Sequence, residues 1–88
     1  MVYLITYDLN KVGQDYNELY NAIKKTGTWW HYLDSTWLVQ TALSSNQIFE
    51  SIKHAIDNND SVLIVKITTD HSGWLPQEAW NWINKASY

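Results

Sequence analysis

Apolar positions dominate Val2-Tyr3-Leu4-Ile5-Thr6-Tyr7, and the run then breaks at Asp8-Leu9-Asn10. This pattern predicts a buried strand with a carboxylate at its exit, the place where sheet proteins commonly keep binding and catalytic groups. Further on, Tyr16, Leu19, Tyr20 and Ile23 fall at i, i+3, i+4 and i+7 and make one helical face. Asp15-x-x-Glu18 has capping-box spacing, and Gly27 reads as the stop, so a helix is expected over 15–26. The aromatic and β-branched run Thr28-Trp29-Trp30-His31-Tyr32 predicts a second strand, and Thr36–Thr41 a third. Asp34-Ser35 is a turn signal that makes the two a hairpin. Ile48, Ile52 and Ile56 repeat every four residues, which predicts a helix over 45–57 capped by Ser44 or Ser45. Asn58-Asn59-Asp60 is a break, 61–68 reads as an apolar strand, and Asp70-His71-Ser72-Gly73 as a loop. Pro76 suits the start of a last helix with Ala79, Trp82 and Ile83 on its inner face.

Strand, helix, strand, strand, helix, strand and a terminal helix form two split β-α-β units. The expected fold is therefore an α+β, ferredoxin-like βαββαβ sandwich with a four-stranded antiparallel sheet and a C-terminal helix. Its helices are expected on one face, which leaves the other to be covered by a partner or used. With 88 residues, a single domain over 1–88 is expected. So small a domain buries only about 60–65% of its unfolded surface, and dimerisation would help it. The six Trp, six Tyr and one Phe are more aromatic surface than a thin core hides, so some of them should line an interface or a groove.

Cysteine is absent, which excludes disulfides and thiolate metal sites. Asp8 and Asn10 interrupt the N-terminal apolar run, so no signal peptide is read there, and no stretch approaches a membrane span. A soluble, cytoplasmic protein is expected. The net charge is −3, and the basic residues are six Lys with no Arg. That balance argues against tight, nonspecific duplex binding, and leaves room for a short single strand or a nucleotide held by stacking.

The start Tyr3-Leu4-Ile5-Thr6-Tyr7-Asp8-Leu9-Asn10 resembles the opening strand of the small, dimeric CRISPR adaptation subunits, and the virulence-associated protein D toxins are similar in fold. The chain looks closer still to small bacterial and phage proteins carried under the label "SinR family". That likeness rests on the Tyr-Asp-Leu-Asn start, the Trp-His pair near residue 30, Ser35-Thr36-Trp37-Leu38-Val39 and Trp74-Leu75-Pro76. The resemblance implies a homodimer with open sheet faces together and the two copies of Asp8 near the dimer axis. In nuclease members of the CRISPR family that aspartate is proposed to hold a divalent metal, and Asp8 alone carries over residue by residue. The family's Arg-rich flanks are missing here.

Each candidate residue has a chemical role and a plain structural one. Asp8, paired with its own copy, suits Mg2+, which binds through few protein oxygens and keeps its waters; metal-activated water then attacks a phosphodiester. Alternatively, Asp8 and Asn10 bond backbone amides in the loop. On a strand, Trp29 and His31 share one face and Trp30 and Tyr32 the other; one face packs under helices, and the other stacks bases or packs in a dimer. His31 is a general-base candidate. Ser35, Thr36 and Trp37 could contact phosphate and ligand, or serve the turn and the strand packing. Trp74 and Trp80 are expected to clasp a partner subunit or sit against a ligand. His54, His71 and the Lys24-Lys25 pair read as surface residues.

Three functions follow. One is a homodimeric nucleic-acid-associated protein, a Mg2+-dependent endonuclease acting on RNA, with Asp8 at its centre and Asn10, Trp30, His31, Ser35 and Trp37 as binding residues. The alternative is a non-enzymatic binding module, a phage-type protein that sequesters a host protein or a nucleotide. The third is an interaction subunit that only dimerises and presents an edge strand.

Overall fold

The computed structural model describes residues 1–9 and 16–88. Among these, β1 (Val2–Asp8), α1 (Asn17–Lys24), β2 (Thr28–Leu33), β3 (Thr36–Gln40), α2 (Ser45–Ile52), β4 (Ser61–Ile67) and α3 (Gln77–Lys85) follow in order, and a 3-10 turn at Lys53–Ala55 extends α2. The strands form one sheet in the order β2-β3-β1-β4, antiparallel throughout. This is the ferredoxin-like α+β arrangement. Asn10 and Asp15 lie outside the described residues.

Strand alternation separates two apolar layers. Tyr3, Ile5 and Tyr7 of β1 and Trp37 and Val39 of β3 point to one face, where Leu19, Ala22 and Ile23 of α1 and Ile48 and Ile52 of α2 cover them. Val2 of β1, Trp30 of β2 and Leu38 of β3 point the other way and meet Ala79 and Ile83 of α3. The second face is therefore not left open as the element order suggests. The chain's own last helix covers its β2–β3 side, with Trp80 and Trp82 packed at the margin. The β4 side stays bare: Leu63, opposite Thr6, is 57% exposed, and Val65, opposite Leu4, is exposed as well.

The helix ends differ from expectation for local reasons. Tyr16 is the N-cap of α1 and makes no side-chain cap. Thr26 closes the other end by donating its hydroxyl hydrogen to the Ile23 carbonyl at 2.7 Å. Gly27 is not in the left-handed conformation of a helix stop; among the described residues only Gly73 has positive φ, at 156°. At α2, Ser44 is the cap: its Oγ accepts from the Gln47 N–H at 3.2 Å, and its own N–H donates to Gln47 Oε1 at 2.9 Å. The 3-10 turn tightens after Ile52 and puts Ile56 in extended backbone, so Ile56 reaches the core from outside the helix. Pro76 caps α3, and its carbonyl accepts from Ala79 N–H at 3.0 Å. No helix among the described residues is long and apolar enough to cross a membrane.

Candidate nucleic-acid interface

The C-terminal end of β1, the β2–β3 hairpin turn and the start of β4 meet at one rim of the sheet. Tyr7 N–H donates to the Ser35 carbonyl at 3.1 Å, and Asp8 is in register with Ser61. Asp8 is exposed at this rim, on the same sheet face as Leu4, Thr6, Leu63 and Val65. Thr6 and Thr36 join β1 to β3 on that face through their hydroxyls, 3.2 Å apart. Ser35 is exposed in the turn. Among the described residues no group of three or more His, Asp or Glu side chains is placed to hold a metal ion.

The aromatic residues sort as the strand alternation predicts, but not all of them face solvent. Trp37 is completely buried, and Trp30 retains 3% of its exposure. Neither ring offers an open face for a base to stack on. Both sit on inward positions of central or helix-covered strands, where a large ring is worth most to the core. The reachable rings are their neighbours. On the α1 side a continuous row runs from Tyr7 to Tyr16 (centroids 6.5 Å apart), to Tyr20 (6.0 Å), to His31 (5.2 Å), across Trp37 (3.9 Å from His31, nearly parallel at 10°) and on to Trp29 (5.2 Å). Tyr16 and Trp29 are exposed, and Tyr20 and His31 are half-buried. Lys24 Nζ lies 4.9 Å from the Trp29 ring centroid and closes the row with a cation. The sequence signalled Trp29 and His31. It gave no sign that Tyr16, Tyr20 and Lys24 of α1 would come alongside them, because that depends on how the helix lies against β2.

His31 is held rather than free. Its ring lies flat on Trp37, and Nε2 donates to the Asp34 carbonyl at 2.9 Å. This contact fixes the tautomer and leaves Nδ1 as the nitrogen able to take a proton, so His31 is better suited to stacking than to moving a proton through Nε2. His54 and His71 are exposed, the latter stacked near Trp80 at 6.2 Å. Trp80 joins the second core, whereas Trp74 is fully exposed.

The inner end of the row carries a strongly shifted group. Burial raises the Tyr7 phenol well above the ordinary tyrosine range, partly opposed by Trp37 Nε1–H, which donates to Tyr7 Oη at 3.3 Å. The native state thus favours neutral Tyr7. Its contribution to stability is complete below about pH 10, where an unfolded tyrosine ionises, and is lost as pH climbs toward the native value. Denaturant midpoints should fall between pH 8 and pH 11 and fall less in Tyr7→Phe. At pH 8 that variant should itself lose about 1–3 kcal/mol, because Trp37 Nε1–H is left buried without an acceptor. Parallel pH profiles for the two proteins would remove Tyr7 from the alkaline transition.

No family model matches the chain, and a search of the curated proteins finds no match.

Proposed function

We propose that the chain is a homodimeric, nucleic-acid-associated protein that binds single-stranded RNA along its aromatic row and cleaves it with a Mg2+ ion held between two copies of Asp8. The observation that supports this most is the row itself. It begins at Tyr7, next to Asp8 along β1 but on the opposite face of the sheet, and ends at Trp29 beneath Lys24. Stacking on such rings is worth about 1–3 kcal/mol per base and tolerates any sequence, which suits a chain with six Lys, no Arg and a net charge of −3. The bare Leu63 and Val65 lie on the face that carries Asp8. A second copy packed there covers apolar surface and draws the two carboxylates toward one axis. Mg2+ asks little more of the protein, since it keeps most of its waters, and its bound water supplies the nucleophile for phosphodiester hydrolysis.

A labelled single-stranded RNA, with duplex DNA beside it, tests the reading in Mg2+ and in chelator. Asp8→Ala should lose at least about 100-fold in cleavage, a loss at the upper end of what disturbing a metal's outer shell costs, and should keep RNA affinity. Trp29→Ala should weaken binding by about 5-fold or more, the lower end of one base stack. Binding should depend on salt with a log–log slope shallower than about −2, because few cations contact the strand. Leu63→Glu should yield monomers on sedimentation and lose cleavage with them. The alternative, a non-enzymatic binding module, draws on the absence of a three-ligand cluster among the described residues. Binding without turnover by wild type favours it, and neither binding nor turnover sinks the nucleic-acid reading.

A further inference from the structure

On the α3 side of the sheet, away from the aromatic row, Leu4, Trp30, Leu38 and Ile83 form the floor of a pocket of about 200 Å3 that opens to solvent. The strap after β4 adds Leu75, Asp70, His71 and Ser72 to its lining. No Lys is among the lining residues. The space is that of roughly seven waters at about 30 Å3 each. It is too small for a drug-sized ligand, and its walls are mostly apolar.

One wall residue is chemically incomplete. Trp30 is buried, and its Nε1–H has no hydrogen-bond partner among the described residues. The contrast within the same chain is direct, since the other deeply buried indole, Trp37, donates to Tyr7 Oη. Buried tryptophans usually find an acceptor, and a stranded donor costs about 1–3 kcal/mol. A guest that brings an acceptor to Trp30 recovers that cost, whereas one of the same shape without an acceptor does not.

We propose that this cavity is a binding site for a small, uncharged, mainly apolar ring compound carrying one hydrogen-bond acceptor, which receives the Trp30 Nε1–H. The chemistry of the lining sets these terms. With Asp70 present and no Lys in the lining, phosphate and carboxylate groups are disfavoured, so the site is distinct from the nucleic-acid surface. The apolar walls select a ring, and the volume admits a fused bicycle at interior packing density. The stranded N–H selects the acceptor. Nε1 itself is fully covered, so a guest reaches the N–H only by displacing the side chains around it.

Quinoline and naphthalene form a matched pair of probes, alike in shape, of which only quinoline has an acceptor nitrogen and is neutral at pH 7.5. The readout is the indole N–H region of a 15N-labelled full chain, where the six Trp give six resonances and Trp30→Phe identifies that of Trp30. Quinoline should move the Trp30 resonance saturably and downfield. Naphthalene should bind at least about 10-fold more weakly, the equivalent of about 1.4 kcal/mol. Ser72→Phe, on the exposed strap, keeps Trp30 and the core and should abolish the quinoline shift by narrowing the mouth. Because Trp30→Phe removes a buried indole, its fold is checked by circular dichroism; should it fail to fold, Ser72→Phe alone decides the matter. The proposal is overturned by quinoline leaving the Trp30 resonance unmoved, by a shift confined to other indoles, by equal affinity for naphthalene, or by quinoline binding that persists in Ser72→Phe.

Discussion

Trp37→Ala is expected to lower the thermal midpoint by at least about 12 °C, or to leave the chain unfolded at room temperature. Trp37 is the largest of the side chains with no solvent exposure. It sits on β3 between the two halves of the aromatic row, stacked at 3.9 Å on His31 and within 5.3 Å of the Trp29 and Tyr20 rings. Removing a buried Trp or Phe side chain costs about 3–5 kcal/mol, since the surroundings collapse only in part. An 88-residue domain has on the order of 4–13 kcal/mol in all, so the loss approaches the whole stability at the low end of that range. The variant also strips Tyr7 Oη of its donor. Trp37→Phe should fall between wild type and Trp37→Ala, because it keeps an aromatic ring but not the N–H. A midpoint for Trp37→Ala within a few degrees of wild type would mean that the ring is not a core element and that the row is mobile.

The strand positions and their alternation were legible because apolar runs and period-two patterning depend on neighbours in sequence. Trp29 and His31 do share one face and Trp30 and Tyr32 the other: Trp29 and His31 both pack on Trp37, and Trp30 lies 5.2 Å from Tyr32. What could not be read is which apolar face another element covers. The spacing of Ala79 and Ile83 announced an apolar helix face, but not that it would land on Val2, Trp30 and Leu38 and cover the β2–β3 side of the second face. That landing turned Trp30 from a candidate platform into a buried wall. The same limit applies to Trp37, whose pattern is equally that of an edge or a central strand. Only the order β2-β3-β1-β4 places β3 inside the sheet. Ile56 shows the opposite failure, a residue in perfect helical period that reaches the core from beyond the helix end.

The two faces are thereby set apart by chemistry. The α1 side carries rings that solvent can reach and a lysine over one of them, which suits a polyanion with exposed bases. The α3 side carries a mostly apolar pocket with a stranded donor in one wall residue, which suits a neutral guest. Asp8 stands exposed at the rim, on the bare β4 side of the second face.

Gly27→Ala is expected to destabilise the chain by about 1–3 kcal/mol, opposite in sign to the usual effect of this exchange at an unstrained site. A glycine replaced by alanine ordinarily gains about 0.4–1 kcal/mol, because the unfolded chain loses freedom. Gly27 has no positive φ, so backbone conformation alone would permit alanine. The obstacle is contact: a Cβ at residue 27 overlaps the Gln40 carbonyl oxygen and comes within 3.1 Å of both the Gln40 carbonyl carbon and Thr41 Cβ. The atoms in the way are mostly backbone, held by the β2–β3 register that sets Thr28 opposite Gln40. Relief therefore requires the start of β2 to move off the end of β3. That shift travels one residue further into Trp29, opposite Val39, and so into the exposed end of the aromatic row. Gly27→Ala should accordingly lower the denaturant midpoint and weaken RNA binding together, whereas Trp29→Ala should weaken binding with a smaller loss of stability. An increase in midpoint for Gly27→Ala would show that the two strands separate at this point without cost.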